Sequence, residues 1–484
     1  MRIGCRIAGI IALFLLFPSC APLQQRAAFE ALFDTPALSS AQWGVAVSSL
    51  RTGEILYQRE ANREFVPAST MKLFTTAAAL IRLGPDFRYT TALYTGGLLQ
   101  DGTLQGNLVI RGSGDPSFSG RFSREGATGV FVQWADALQR EGVREIDGDV
   151  VGDDTFFDGQ YLGNGWSWDD ETFGYAAQIS GLSFYENSVD VEVSPGEGEG
   201  SSAVLRIVPD TRYVTLLNRV ITAPAGESGS LHFFRSPGTN VVTVSGRIAS
   251  GSPVLREMVS VHDPALFSAT VLKEVLESKG IRVRGVPVGA GRKGVVPEYT
   301  AMRIIASHSS PPLHEIVRIA NKWSRNLYAE QLFRTLGKVL GGEGSTARSS
   351  EVLKETLSRM GIAPDAVAIY DGSGFSRLNL VTPLHVLSLL GFMARHESFP
   401  YFYNSLAIAG VDGILQRRMK GSEAEGRVHA KTGYFRHVRA LSGYVTSKGG
   451  DMKAFSLLLN NYLGPAAEAR ALQDGLCSIL SRMP

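Results

Sequence analysis

At 484 residues the chain is too long for one ordinary hydrophobic core, and its length predicts roughly three domains. Apolar residues make up 44% and charged residues 19%, a globular balance, and 53 glycines imply the many turns of a β-rich or mixed chain. A formal net charge of +2, without an Arg/Lys block, a zinc-finger spacing or an RNA-binding aromatic pattern, argues against nucleic acid as a partner and against tight adhesion to anionic lipid.

Arg2 and Arg6 precede an apolar run from Ile7 to Phe17, followed by Pro18, Ser19, Cys20 and Ala21. This is the layout of a secretory signal, too short to span a bilayer comfortably, so residues 1–20 are expected to direct the chain to the periplasm or cell envelope. Cys20 also lies where a bacterial lipoprotein carries its lipid. Membrane attachment through a lipidated Cys20 therefore stays open beside plain cleavage, although Phe17 and Pro18 depart from the residues that usually precede such a cysteine. No later segment has the length of a transmembrane helix. Of the three cysteines, Cys5 and Cys20 fall in the signal region, and Cys477 sits alone in an apolar C-terminal helix, where a buried structural thiol is expected.

Trp43 to Leu50 reads as a strand, Arg51-Thr52-Gly53-Glu54 as a turn and Ile55 to Tyr57 as the returning strand. A helix is expected from Pro67-Ala68-Ser69-Thr70-Met71-Lys72 to about Leu83, stopped by Gly84-Pro85. From 94 to 299 the texture changes to short apolar strands between Gly, Asp and Asn, such as Asn107 to Arg111, Val150 to Asp154, Val189 to Val193 and Val241 to Val244. Phe131 to Glu141 and Pro264 to Lys279 read there as surface helices, and Glu197 to Ser202 as a Gly-rich loop. Helical spacing returns with Leu313, Ile316, Val317 and Ala320, and a second helix follows from about Leu327 to Leu340. Val428 to Gly433, Leu441 to Val445 and Ala454 to Asn460 read as successive strands, and Pro465 to Met483 as a closing helix with Leu472, Leu476, Ile479 and Leu480 on one face. The pattern predicts one α/β domain, 21–93 and 300–484, interrupted by a β-rich middle, 94–299.

Three short motifs can carry chemistry. Ser69 and Lys72 stand three apart at a helix start, where hydroxyl and amine can meet and free backbone N–H groups favour developing negative charge. Alone, the pattern is weak and Ser69 reads first as a plain helix cap. Ser324 and Asn326 flank Arg325 between two helical stretches. In a connecting turn both can face a cleft, as a proton relay and an amide for a substrate carbonyl, or simply link the helices. Lys431 and Thr432 on a strand suit a substrate carboxylate, and Gly433 would let a substrate backbone come close. The structural alternative is a solvated strand lysine before a turn.

In this order, Ser-x-x-Lys, Ser-x-Asn and Lys-Thr-Gly resemble the signature of the serine β-lactamases and penicillin-binding proteins. The separation of the first two motifs is far longer than a simple β-lactamase needs. Further segments resemble the class C low-molecular-mass penicillin-binding proteins, the D-alanyl-D-alanine carboxypeptidase/endopeptidase family: Gly114-Asp115-Pro116, Trp166-Ser167-Trp168-Asp169-Asp170, Asn326-Leu327-Tyr328-Ala329-Glu330, Asp371-Gly372-Ser373-Gly374, Ala430 to Gly433 and Ala440 to Val445. The resemblance implies an α/β (α+β) serine β-lactamase/transpeptidase-like domain with two nested, β-rich inserted domains. It also implies that Ser69 is acylated with Lys72 as base, that Ser324 relays protons, that Asn326 binds the substrate amide, and that Lys431 and Thr432 bind the terminal carboxylate. The backbone N–H groups of Ser69 and Tyr434 would form the oxyanion hole. The implied substrates are peptidoglycan stem peptides and the implied inhibitors β-lactams, with no cofactor and no metal. Two departures stand out: Arg325 where similar proteins often have Asp, and Tyr434-Phe435-Arg436-His437 after the third motif, where a small residue is usual.

Other readings are weaker. A β-lactamase would need an extra deacylating base, and no Glu-x-x-Leu-Asn segment is present; an esterase of the α/β-hydrolase type would need a Gly-x-Ser-x-Gly elbow, also missing. The eight histidines show no His-Glu-x-x-His spacing, against a metallopeptidase. A non-catalytic envelope protein that binds peptidoglycan or a partner is the alternative of a different class, opposed by the intact motif residues. Asp371 to Gly374 reads as a tight turn beside the cleft, Trp166 and Trp168 as packing residues of an inserted domain, and Asp115, Asp153 and Asp154 as turn residues.

Overall fold

The computed structural model describes residues 21–33, 36–122, 125–294 and 296–483; the signal region with Cys5 and Cys20 lies outside them. Both ends of the chain build one antiparallel six-stranded sheet, in the order Ala407–Ile408, Val428–Phe435, Val438–Thr446, Met452–Asn460, Gln42–Ser49, Ile55–Arg59. The strands Val438–Thr446 and Met452–Asn460 are almost continuously buried because both of their faces are covered. Helices Ala21–Phe33 and Ala466–Arg482 cover one face, where Phe29, Phe33, Leu476, Cys477 and Leu480 pack against Trp43, Val45 and Leu457. The other face carries the helices Met71–Arg82, Leu313–Lys322, Asn326–Gly341, Thr346–Ser358 and Pro383–Met393. The first of these is central, with every residue from Met71 to Leu80 buried. Its burial obliges Lys72, Thr75 and Thr76 to find polar partners inside the protein.

The outermost strand on one side, Ala407–Ile408, is only two residues long and pairs with Ala430 and His429. Among the described residues no strand pairs the outer edge of Lys431–Phe435.

The middle of the chain forms four smaller sheets of three, three, four and five strands. Strand Thr90–Thr95 enters them beside Arg303–Ser309, which leaves, so the sheets of the middle run from Thr90 to Ser309, past 94 on one side and past 299 on the other. The helix Gly129–Arg140 is the surface helix expected there, burying Phe131, Trp134 and Leu138 and exposing Gln133, Gln139 and Arg140. One expectation is corrected: Pro264–Ser278 is not a surface helix but a core helix, burying Phe267, Val271, Leu272 and Leu276.

Cys477 is buried and free, and burial pushes its thiol far above the usual range. A thiol-specific reagent is therefore expected to label Cys477 only after denaturation. Labelling of the native protein at the rate of an exposed thiol would contradict this packing.

Candidate active site

Ser69 sits in a short 3-10 turn, Ala68–Thr70, that runs into the helix Met71–Arg82. Its neighbour Ala68 has φ +46, a left-handed conformation that residues with a Cβ seldom adopt. Two glycines from elsewhere press on this turn. A Cβ on Gly374 would lie 1.9 Å from Ala68 O, and one on Gly433 would lie 2.7 Å from Pro67 O and 3.1 Å from Ala68 Cβ. The neighbour that the bare Cα of Gly433 faces is thus the Ser69 turn, a demand separate from any approach of substrate.

One helical turn after Ser69, the buried Lys72 Nζ donates to Ser69 Oγ at 3.0 Å, to Asn326 Oδ1 at 2.6 Å and to Ser373 O at 2.7 Å. Asn326 Nδ2 donates to Tyr175 O at 2.8 Å, which fixes the orientation of the carboxamide. Two of the three lysine partners can only accept, and the Ser69 hydroxyl alone can reverse its role. A neutral Lys72 has two N–H groups and one lone pair, so satisfying Asn326 and Ser373 aims the lone pair at the Ser69 O–H. Burial pulls the Lys72 pKa down to about 7, against the opposing charges of Asp371 and Glu330.

Ser324 (φ +57) lies between the helices Leu313–Lys322 and Asn326–Gly341, and Asn326 opens the second. Ser324 Oγ accepts from Lys431 Nζ at 2.7 Å, and Lys431 also donates to Thr432 O at 2.8 Å. Lys431 is fully buried. Burial first, then the charge of Lys72, holds it well below the usual lysine range. Strand alternation sends Lys431 inward while Thr432 and Tyr434 line the cleft. The cleft, about 700 Å³, opens over Ser69, Ser324, Asn326, Thr432 and Tyr434. Tyr434 is 60% exposed at its rim, with the Arg439 guanidinium 3.9 Å over its ring. Arg325 lies against the middle segment instead, 3.6 Å from Glu186 Oε2, a carboxylate that also accepts from Arg121.

The far wall of the cleft comes from the middle segment, with Gly165, Ser167, Asp169, Asp170 and Tyr175. Trp166 is not a packing residue of that segment alone. Its Nε1–H donates to Asp371 Oδ2 at 2.9 Å and its ring meets Phe375 edge-on at 5.1 Å, which ties the wall to the residues beneath the cleft. Trp168 is 75% exposed, which overturns its reading as a packing residue. Asp115 and Asp154 are buried beside turns, as the sequence suggests, whereas Asp153 ends the strand Val150–Asp153 and pairs with Arg111. The sequence reading missed Ser373 O, Glu330 and Tyr175 O, because two of these act through the backbone and the third through a loop. The signal for Glu330 and Ser373 was the wording of the segments Asn326–Glu330 and Asp371–Gly374, and Tyr175 had none.

Residues 25–483 match the model of the D-Ala-D-Ala carboxypeptidase 3 (S13) family. A D-alanyl-D-alanine carboxypeptidase of Actinomadura sp. (strain R39) is 36% identical over 463 residues, covering 92% of this chain and 82% of that protein. D-alanyl-D-alanine carboxypeptidase DacB of Haemophilus influenzae is 28% identical over 430 residues, covering 87% and 85%. The crystal structure of penicillin binding protein 4 (dacB) from Haemophilus influenzae superposes with a TM-score of 0.81 at 25% identity, covering 94% of this chain and 99% of that one. The match over nearly the whole described chain bears out both the expected fold class and the expected resemblance: the chain belongs to the D-Ala-D-Ala carboxypeptidase 3 (S13) family of serine peptidases.

Proposed function

We propose that this D,D-carboxypeptidase works through an acyl-enzyme on Ser69, with peptidoglycan stem peptides as substrates. The observation that carries the reading is the Lys72 Nζ with one reversible partner, Ser69 Oγ, and two fixed acceptors. Lys72 takes the Ser69 proton as the oxygen attacks the carbonyl of the penultimate D-alanine, and the N–H groups of Ser69 and Tyr434 hold the oxyanion. The substrate lies along the unpaired edge of Lys431–Phe435, with its amide on Asn326 and its terminal carboxylate at Thr432 and Lys431. Ser324 passes a proton to the departing amine. Water then attacks the ester and frees Ser69. A leaving group that is free D-alanine makes this a carboxypeptidase, and a cross-linked peptide amine makes it an endopeptidase by the same steps. A β-lactam acylates Ser69 and is released slowly. The middle segment, as inserted domains, supplies the far wall.

Intact mass of the mature protein after benzylpenicillin tests this. One persistent adduct is expected, absent in Ser69→Ala. Antibiotic left intact with no adduct would favour a binding protein without catalysis, and rapid hydrolysis would favour a β-lactamase. The same spectrum reads the mass of the mature N-terminus. We propose export to the cell envelope, and a diacylglyceryl increment would mark lipidation of Cys20 as the anchor, its absence plain cleavage.

A further inference from the structure

The turn Asp371-Gly372-Ser373-Gly374 is clamped between two helices through two consecutive peptides. From the Met71–Arg82 helix, Thr75 Oγ1 donates to Gly372 O at 2.6 Å and Lys72 Nζ to Ser373 O at 2.7 Å. From the Asn326–Gly341 helix, the buried Glu330 accepts the N–H groups of the same two residues, Ser373 on Oε1 at 2.7 Å and Gly372 on Oε2 at 3.3 Å. Glu330 and Asn326 are four residues apart, so one helix face supplies one lysine partner directly and fixes a second through the turn. Two N–H groups on two different oxygens call for a carboxylate, since the NH2 of an amide would face one of them donor to donor. That carboxylate is held at a cost: burial, then the charge of Asp371, drives Glu330 above the usual carboxylate range. Asp371 is itself committed, accepting from Gly374 N, Asn379 Nδ2, Ser376 N and Trp166 Nε1.

We propose that Glu330 is a positioning residue for Lys72, holding the Gly372 and Ser373 peptides so that Ser373 O keeps the Lys72 amine aligned on Ser69. The proposal rests on the reading of Lys72 as the base. The charged groups facing Glu330 are Asp371 from the turn, Arg334 from its own helix and Lys72 from the facing helix; those facing Lys72 are Glu330, Asp371 and Lys431. Glu330 thus acts on Lys72 twice, by aligning it and by raising its proton affinity.

The test is the rate of benzylpenicillin acylation per active site, followed across the acid and neutral pH range, for the full mature protein and Glu330→Gln. The expected result is a plateau rate lower by roughly ten- to a hundredfold, with the acid limb displaced to lower pH because a negative charge beside Lys72 is gone. A purely structural role would lower the yield of active protein and leave both the rate per site and the limb in place, and that result overturns the proposal. If Glu330→Gln does not fold, Glu330→Asp keeps the charge and withdraws it by one methylene. It is expected to lower the plateau without moving the limb, and an unchanged plateau overturns the proposal. Failure of the underlying reading looks different, since the parent protein would then take up no benzylpenicillin.

Discussion

Lys72→Ala is expected to slow acylation by benzylpenicillin or a chromogenic β-lactam by about 10³-fold or more, the range seen when a general base is removed. The parent rate should rise with pH through about 7, where Lys72 gives up its proton, and level off above it. The sign follows from the chemistry: only the neutral amine can accept the Ser69 proton, and burial is what makes it neutral in this range. In Lys72→Ala that limb should vanish along with the rate, and Asn326 Oδ1 and Ser373 O should each lose a donor. Stopped-flow acylation at several pH values decides it. A variant that keeps more than about a tenth of the parent rate would show that another group deprotonates Ser69.

Gly374→Ala is expected to damage both fold and rate, because the new Cβ would meet the backbone of Ala68 and the Cβ of Met71. Its φ of +76 costs a residue with a Cβ about 1 kcal/mol, and the new atom would sit 1.9 Å from Ala68 O, on the turn that carries Ser69. Either the turn moves or the Asp371–Gly374 segment does, and each holds a partner of Lys72. The acylation rate should fall at least about tenfold, and thermal unfolding should occur several degrees lower. Gly84→Ala is the matched control, because Gly84 has φ +86 with open space around it. It should share the conformational cost and leave the rate alone. Equal acylation rates in the two variants would mean that the contact with Ala68 is unimportant for alignment.

Much of the site was legible in the sequence because the side chains that meet in space belong to three short motifs, each on an element with clear local signals. Gly84-Pro85 ended the serine helix, and the periodic Leu313, Ile316, Val317 and Ala320 placed the turn holding Ser324 and Asn326. What escaped was tertiary. The contributions of Ser373 and Tyr175 are carbonyl oxygens, and a carbonyl is common to all residues. Glu330 looks in sequence like any polar residue on a helix, and only packing shows that it is fully enclosed. The helix Pro264–Ser278 reads as a surface helix in sequence, yet it packs against the strands Val150–Asp153 and Pro287–Gly289 and buries most of its apolar residues. Two overlooked helices did carry signals: Ser345 caps Thr346–Ser358, and Thr382 with Pro383 opens Pro383–Met393.

The two-residue strand Ala407–Ile408 has a further consequence. By stopping at Ala430 it leaves the rim of the main sheet bare from Lys431 onward, and a bare rim of backbone donors and acceptors is what lets proteins polymerise through their sheets. Here Thr432 and Tyr434 of that rim line the cleft together with Asp169, Asp170, Tyr175 and Arg436. An extended chain laid along the cleft would meet these free backbone groups. The edge that most sheets must hide is thus the one that an extended guest can complete here.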